Sequence, residues 1–229
     1  MRDREEVRRR IIDAATRLLY DQGREAVTTR AVSAAAGVQS PTLYRLFTDM
    51  TGLLEAVASD GFARYLAGKH AQKPSADPVE DLRRGWDLHV EFGLQNSAHY
   101  LLMYGQPTPG HRHPAAEQGL RRLRTLIECI AAAGRLVVSV DTAIGMMHAA
   151  CVGITMNLIE TPPEERDPSL ANRLREAILA AITTAVPDRP PVVAQRAVAL
   201  KAVLDDAADI YSFGERALMN ELLDRAANH

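Results

Sequence analysis

The chain has 229 residues and a formal net charge of −2, and 47% of its residues are hydrophobic, with few aromatics among them. This composition is typical of a helix-rich globular protein and leaves room for one small and one larger domain. The charge is unevenly distributed, because residues 1–47 carry nine arginines against six acidic residues while the remainder is acidic. A basic end on an acidic body favours a polyanionic partner for the N-terminal region.

Membrane and secretion signals are not expected in this sequence. No apolar run reaches the roughly 20 residues of a membrane span, and the charged start MRDREEVRRR is unlike a signal peptide. The two cysteines, Cys129 and Cys151, lack the spacing of a metal or redox motif, which favours reduced thiols. We therefore expect a cytoplasmic protein with no membrane partner.

The N-terminal segment is expected to combine a short arm with a helix. Residues 1–6 read as a mobile arm, whose arginines either reach a nucleic acid or remain solvated. Apolar residues at spacings of three and four predict a helix over residues 4–21, and Gly23 is expected to end it. The three consecutive arginines on the outer side of this helix, residues 8–10, either touch a DNA backbone or form a solvated face.

Residues 28–47 predict two short helices joined at Gly37. Gly37 accepts a positive φ, and Ser40, which is followed by proline, favours a helix start. Leu43 and Phe47 are four residues apart and would share the buried face of the second helix. The first helix is expected to bury a face of small residues: Ala31, Val32, Ala35 and Ala36. The pattern is typical of a helix-turn-helix, whose second helix enters a DNA major groove, although a solvated helical hairpin is the alternative.

The burial of Leu43 and Phe47 determines which side chains face outward. A step of about 100° per residue places Pro41 and Arg45 opposite the buried face, and Gln39 lies at the helix tip. Arg45 suits guanine and Gln39 suits adenine, while hydroxyl groups on the flanks suit phosphates. The predicted DNA-binding residues are Thr28, Thr29, Arg30, Gln39, Ser40, Pro41, Thr42, Tyr44 and Arg45.

The string T-x-R-x-V-x-x-x-A-G-V-x-x-x-T-L-Y-x-x-F is carried by Thr28, Arg30, Val32, Ala36, Gly37, Val38, Thr42, Leu43, Tyr44 and Phe47. It resembles the DNA-binding domain of the tetracycline-repressor (TetR) family. The resemblance implies an all-α fold with an N-terminal three-helix helix-turn-helix domain over residues 1–48. It also implies that helix 49–70 acts as a lever connecting this domain to a helical effector-binding and dimerisation domain over residues 71–229.

Two positions depart from the family pattern. Gln39 stands where the family usually has serine, so the cap is expected to move to Ser40 and Gln39 becomes free for base contacts. Met50 stands where the family usually has lysine, so an expected phosphate contact is absent. The affinity for DNA is then either weaker or more dependent on the N-terminal arm.

The remainder of the chain shows helical spacing and no strand pattern. After the helix over 49–70, further helices are predicted over 78–95, 97–105, from 114 onward, and over 141–160, 169–185, 192–209 and 214–227. Proline-rich or glycine-rich breaks are predicted at 73–78, 106–113 and 187–191.

Helix 141–160 carries two packing seams, one of large apolar residues and one of small residues spaced by four. A helix with two seams needs two partners, and we expect the second to be a copy of the chain, with helix 169–185 completing the contact. The alternative is that both seams are internal. The predicted dimer residues are Gly145, Ala149, Gly153, Leu170, Leu174, Ala177, Ile178 and Ala181.

The body is also expected to hold an effector pocket between its helices. Its predicted lining combines apolar bulk with a few polar groups: Trp86, His89, Phe92, Tyr100, Met103, Tyr104, Met147, His148, Cys151 and Asn157. Each of these residues alternatively belongs to an ordinary core. His111 and His113, with His99 nearby, lack further ligands at metal spacing, so no metal site is expected.

The family resemblance implies a ligand-responsive transcriptional regulator, most often a repressor. It would bind a pseudo-palindromic DNA operator as a homodimer and be released by a small hydrophobic effector. No catalytic motif is present, so we expect no enzyme and no cofactor. The alternatives are a constitutive or partner-controlled DNA-binding dimer without an effector, and a helical ligand-binding protein whose DNA-binding domain is not functional.

Overall fold

The structure, a computed structural model, describes residues 2–69, 75–184, 193–204 and 210–227. These residues form α1 (Arg2–Gln22), α2 (Thr29–Ala36), α3 (Ser40–Phe47), α4 (Met50–Lys69), α5 (Pro78–Gln95), α6 (Ser97–Tyr104), α7 (Pro114–Ala132), α8 (Val140–Glu160), α9 (Leu170–Ile182), α10 (Val193–Ala202) and α11 (Phe213–Ala227). Short 3-10 segments lie at Arg24–Ala26 and Pro163–Glu165. The described residues contain isolated β-bridges but no strand, which confirms the expected all-α fold.

Most helices begin and end near the predicted residues, and the differences have local causes. The expected mobile arm is wrong for residues 2–6, because α1 already begins at Arg2. Acidic Asp3 and Glu5 in its first turn favour a helix start through the helix dipole. The cap of α8 is Ser139, whose hydroxyl accepts from the Thr142 N–H at 3.2 Å. The predicted break at 187–191 and residues 73–74 lie outside the described part of the chain.

The chain divides into two compact units. The first consists of Met1–Gln72 and Phe92–Gln118, and the second of Lys73–Glu91 and Gly119–His229. The first unit thus contains α1 to α4 together with α6. The domain boundaries expected after residues 48 and 70 stay predictions.

A single apolar core holds the first three helices and the start of α4 together. Its buried members are Ile11, Ile12, Ala14, Ala15, Leu19, Val27, Val32, Ala36, Leu43, Phe47, Leu53 and Val57. Leu43 and Phe47 are buried as expected, at 0% and 6% exposure. In α2 the buried face differs from the expected one, because Ser33 is buried while Ala35 is exposed and Ala31 is half-buried. Ser33 hydroxyl lies 3.5 Å from that of Ser40, which gives the buried polar group a partner.

A polar contact joins α6 to α1, and a close approach joins it to α4, within the first unit. The Tyr20 hydroxyl lies 2.8 Å from Nδ1 of His99, which is buried. Gly61 makes room for this histidine, since a Cβ there would come within 2.4 Å of the ring. Arg64 donates to Asp13 at 2.6 Å, although this exposed pair adds little stability. The contacts fix the position of α6 on the surface of the N-terminal helices.

In the second unit, α5 is linked by ion pairs to α9, which packs against α8. Arg83 binds Glu176 at 3.0 Å, and Arg175 pairs with Asp87. The backbone N–H of Val137 also donates to the carbonyl of Ile182 at 3.0 Å. Helices α10 and α11 pack against each other.

One described helix, α8, is long and apolar enough to cross a membrane, judged by length and composition alone. The expectation that no stretch would be long and apolar enough is therefore too strict. Seven side chains of α8 are buried inside the second unit, among them Ile144, Met147 and Cys151. Core helices of soluble proteins have the same length and apolar composition, so these two properties are weak evidence for a membrane-spanning helix.

The corner between α3 and α4 is tight. Thr48 has a positive φ of 68°, which is uncommon for a residue with a side chain. Asp49 then caps α4, accepting from the Gly52 N–H at 2.7 Å. A Cβ at Gly52 would lie 2.2 Å from the carbonyl oxygen of Phe47. The corner between α3 and α4 therefore leaves no space for a side chain at position 52.

We predict that Gly52→Ala lowers the free energy of unfolding by about 1–3 kcal/mol, since the new methyl group forces the backbone of the corner to move. Urea denaturation followed by circular dichroism measures the change. Gly214→Ala is the matched control, because a Cβ at Gly214 meets no atom within 4 Å and the substitution favours the helix. Equal stability of Gly52→Ala and the wild type would contradict the close approach.

His89 on α5 and His148 on α8 are close enough to affect each other's charge. Burial, and to a smaller extent the charge of His148, lower the pKa of His89 to about 4 from its ordinary value of 6.5. His89 therefore remains neutral in the folded chain at pH values where the unfolded chain binds a proton. Stability contributed by neutral His89 is complete above pH 6.5 and is lost as the pH falls toward 4.

We predict that lowering the pH from 7 to 5 reduces the stability of the wild type more than that of His89→Gln. The difference over the full titration is at most about 3 kcal/mol. Chemical denaturation at several pH values measures it. If stability depended on pH in the same way in His89→Gln and in the wild type, the lowered pKa of His89 would be contradicted.

Candidate functional site

A capping threonine, a glycine with positive φ and one closing hydrogen bond shape α2 and the turn that leads to α3. Thr28 caps α2 by accepting from the Ala31 N–H at 3.2 Å. Gly37 ends α2 in the left-handed conformation, with φ 63°, which glycine adopts without strain. The Val38 N–H then donates to the Ser33 carbonyl at 3.0 Å, which closes the end of the helix. The arrangement is that of a helix-turn-helix.

The start of α3 differs from the expectation. The N-cap is Gln39 rather than Ser40, and its side chain makes no capping hydrogen bond. Ser40 is the first helical residue and Pro41 the second, where a missing N–H costs nothing. The Gln39 side chain is exposed at the tip of α3 and is not committed to the turn.

The predicted DNA-binding residues lie together on the surface of α2 and α3. Pro41, Tyr44 and Arg45 are exposed, and Thr42 is half-buried beside them. The Thr29 hydroxyl at the start of α2 lies 3.1 Å from the Tyr44 hydroxyl. This hydrogen bond holds the Tyr44 ring, which is 47% exposed, against α2. Arg30 is exposed next to Thr29.

The first two turns of α1 lie beside α3. They form a cleft of about 620 Å³ whose lining residues are Asp3, Arg4, Val7, Gly37, Val38, Thr42, Arg45 and Leu46. One turn further along α1, the guanidinium carbon of Arg8 lies 5.3 Å from the centre of the Phe47 ring. The sequence did not predict either contact, because both join residues that are distant along the chain.

Met50, at the position where a lysine was expected, is half-buried and packs against the core of the first unit. It replaces a cation with an apolar side chain that belongs to the core. Met50 therefore cannot supply the phosphate contact that a lysine at this position would make.

The predicted pocket residues are divided between the units. Phe92, Tyr100, Met103 and Tyr104 belong to the first unit, where Tyr100 and Tyr104 stack with ring centres 4.6 Å apart. Phe92 and Tyr100 are among the most deeply buried side chains, at 1% and 0% exposure. Phe92, Tyr100 and Tyr104 form an aromatic cluster with Phe62, whose ring centre is 5.2 Å from that of Phe92, and Met103 is buried in the same unit.

The other predicted pocket residues lie in the second unit: Trp86, His89, Met147, His148, Cys151 and Asn157. Trp86 is 2% exposed, and its indole N–H finds no hydrogen-bond partner among the described residues. Burial, followed by the charge of Asp87, raises the pKa of the Cys151 thiol. Asn157 is exposed. Among the described residues, the Trp86 indole thus offers one buried donor without a partner, and the His89 imidazole and the Cys151 thiol are neutral.

The three histidines considered for a metal occupy different environments. His99 is buried against Tyr20, whereas His111 is exposed and lies 3.1 Å from Glu55. Nδ1 of His113 accepts from the Ala115 N–H at 3.1 Å. Among the residues that the structure describes, no group of three or more ligating side chains is arranged to hold a metal ion.

The predicted dimer residues lie on α8 and α9, and none of them is buried in the single chain. Gly145, Ala149 and Gly153 follow one another along α8 and are exposed. A Cβ at Gly145 or Gly153 would meet no atom within 4 Å. Leu170 on α9 is 40% exposed. Small and apolar residues therefore form an open face on two helices that pack together.

Comparison with known proteins places the helix-turn-helix in a family. The family described as bacterial regulatory proteins, tetR family, matches residues 11–57. The HTH-type transcriptional regulator Rv1816 of Mycobacterium tuberculosis is 28% identical over 120 residues, which are 48% of this chain and 49% of that protein. YvkB of Bacillus subtilis, an uncharacterized HTH-type transcriptional regulator, is 41% identical over 82 residues, 36% of this chain and 40% of that protein.

The chain spans about half the length or less of these curated relatives. Among solved structures, NalD of Pseudomonas aeruginosa superposes with a TM-score of 0.52 at 20% identity, covering 80% of this chain and 98% of NalD. At that identity the likeness shows the fold alone. The match over residues 11–57, together with these relatives, shows that the N-terminal part of the chain is a helix-turn-helix domain of the kind found in the tetR family of bacterial regulatory proteins.

Proposed function

We propose that the chain is a transcriptional regulator that binds a pseudo-palindromic DNA operator as a homodimer in the cytoplasm. One observation carries this proposal: α3 buries Leu43 and Phe47 while it exposes Gln39 at its tip, Tyr44 on its flank and Arg45 on the side opposite the buried face. A helix presented in this way enters the major groove with its first residues toward the base edges. Such a helix supplies the sequence-specific part of binding.

The exposed face of α3 has the chemistry for base contacts. The Arg45 guanidinium can pair bidentately with guanine, and the free Gln39 amide can do the same with adenine. Each such pair discriminates against a wrong base by about 1–3 kcal/mol. Thr42 and Pro41 offer apolar groups to a thymine methyl. These contacts would specify the operator.

The start of α2 supplies contacts to the DNA backbone. The hydroxyl groups of Thr29 and Tyr44 lie 3.1 Å apart in an exposed hydrogen bond, so the hydroxyl that accepts in this bond can donate its own hydrogen to a phosphate. Arg30 adds a positive charge at the same end of α2. Contacts of this kind fix the register of the protein on the duplex without reading its sequence.

The open face of α8 and α9 supports a two-fold dimer. Residues such as Gly145 and Ala149 allow close approach of a second helix, and their exposure leaves this face available. A two-fold dimer presents two copies of α3 to half-sites about 34–36 Å apart, which matches a pseudo-palindrome. In this proposal α8 and α9 of both chains form a four-helix contact.

The second unit is proposed to bind a small, moderately hydrophobic effector beside Trp86. The indole N–H of Trp86 has no hydrogen-bond partner among the residues that the structure describes, and an acceptor on the effector would satisfy it. Effector binding then favours a state of the dimer whose two copies of α3 no longer match adjacent grooves. A coupling of about 1–3 kcal/mol changes the affinity for DNA about 5–150-fold. Repression is the proposed direction of control, as the resemblance to the family implies.

We predict that Tyr44→Ala/Arg45→Ala abolishes protection of a DNA site that the wild type recognises. The site is obtained by selecting duplexes from a random pool with the wild-type protein, and footprinting on DNA upstream of its own gene tests autoregulation. The double variant should stay folded, because both side chains are exposed. Arg121→Ala, at an exposed position of α7, serves as control and should bind normally. A folded dimeric wild type that selects no site would favour a protein with a non-functional DNA-binding domain.

We predict that Ala149→Glu converts the dimer to monomers, because two carboxylates would be buried at the centre of the contact without partners. Light scattering after size-exclusion chromatography measures the mass. Ala132→Glu places the same charge at an exposed position of α7 and should leave the dimer intact. A dimer that persists in Ala149→Glu would exclude this face of α8 as the interface. Loss of affinity for the selected site should accompany dissociation.

A further inference from the structure

We infer that Arg8 of α1 binds a DNA phosphate at the corner between α3 and α4 and so replaces the lysine that the family usually has at the position of Met50. The inference rests on the proposed function, since it assumes that α3 docks in a major groove. It adds a second helix, α1, to the surface that contacts DNA.

Arg8 is held at the end of α3. Its guanidinium carbon lies 5.3 Å from the centre of the Phe47 ring, and Phe47 is the last residue of α3. Met50 begins α4 only three residues later, and the Asp49 N–H donates to the Phe47 carbonyl at 2.7 Å. The guanidinium therefore lies beside the last residue of α3, at the end of that helix which leads into α4.

Arg8 is available for a ligand. Its side chain is 40% exposed, and the one carboxylate contact recorded for it among the described residues is with Glu5 at 4.0 Å. At that distance the pair is loose, and the Glu5 side chain is 77% exposed. The guanidinium lies over the Phe47 ring, and arginine binds phosphate bidentately through its N–H groups. An arginine held in this way loses less entropy when it binds.

Arg4 supports the same interpretation of α1. It lies one turn before Arg8 on the same face of the helix and lines the cleft that Arg45 and Thr42 also line. Asp3 lines this cleft as well and opposes an anion there, so Arg4 is a weaker candidate than Arg8. The face of α1 that carries both arginines thus runs beside the helix proposed to read the bases.

The experiment compares the salt dependence of DNA binding for wild type, Arg8→Gln, Arg8→Lys and Arg8→Gln/Met50→Lys. The probe is the duplex selected with the wild-type protein, and binding is measured by fluorescence anisotropy between 50 and 200 mM NaCl. The slope of log K against log salt changes by about 0.9 for each phosphate contact. Two equivalent contacts in a dimer change it by about 1.8.

Arg17→Gln is the matched control. Arg17 is exposed on the same helix, nine residues after Arg8 and therefore on the opposite side of α1. Its slope should equal that of the wild type. Thermal melting followed by circular dichroism verifies that each variant is folded, because Arg8→Gln also removes the contact with Phe47.

We expect the slope to become shallower by about 1.8 in Arg8→Gln, to stay near the wild-type value in Arg8→Lys, and to return toward it when Met50→Lys is added to Arg8→Gln. The return upon adding Met50→Lys would distinguish a phosphate contact from a structural role of Arg8. A slope for folded Arg8→Gln equal to that of Arg17→Gln would overturn the inference while leaving the proposed function intact. A wild type that binds no duplex would overturn both.

Discussion

The burial of Leu43 and Phe47 is the constraint on which the DNA-binding surface depends. These side chains connect α3 to the core formed by α1, α2 and the start of α4, and a helix anchored at two positions four residues apart cannot rotate. Their burial alone determines that Arg45 and Tyr44 face solvent. The tight corner at Gly52 then fixes α4 relative to α3. A movement of α4 within this unit would thus carry α3 with it.

The helices and the orientation of α3 could be predicted from the sequence, because glycine, proline and apolar spacing act over a few residues. Contacts between distant residues could not. Tyr20 and His99 are 79 residues apart, and no periodicity indicates that they meet. The stacking of Arg8 on Phe47 is hidden in the same way, because a charged residue on a helix normally indicates a solvated face. The burial of Ser33 rather than Ala35 depends on a partner hydroxyl in the next helix.

The second unit carries ion pairs at its surface and neutral polar groups between its helices. Its surface ion pairs, such as that between Arg83 and Glu176, lie at the edges of α5 and α9, whereas the neutral groups lie inside. His89 is kept neutral by burial, and the Cys151 thiol stays protonated for the same reason. Neutral His89 and Cys151 offer no charge to pair with a charged guest, and burying an unpaired ion costs far more than burying a hydrogen-bonded neutral group. The donor on Trp86 is then the polar group that remains to orient such a guest.

The open positions on α8 have a consequence for the single chain. Gly145 and Gly153 lie within α8, and a Cβ at either position would meet no described atom within 4 Å. Packing within the single chain therefore does not explain why these positions are glycine. Each glycine weakens a helix by about 1 kcal/mol relative to alanine, and in the isolated chain nothing offsets this loss. The isolated protomer is therefore less stable than a chain with alanines at these sites. If a second copy fills the space, folding and association become linked, and the stability of each chain depends on the abundance of its own copies.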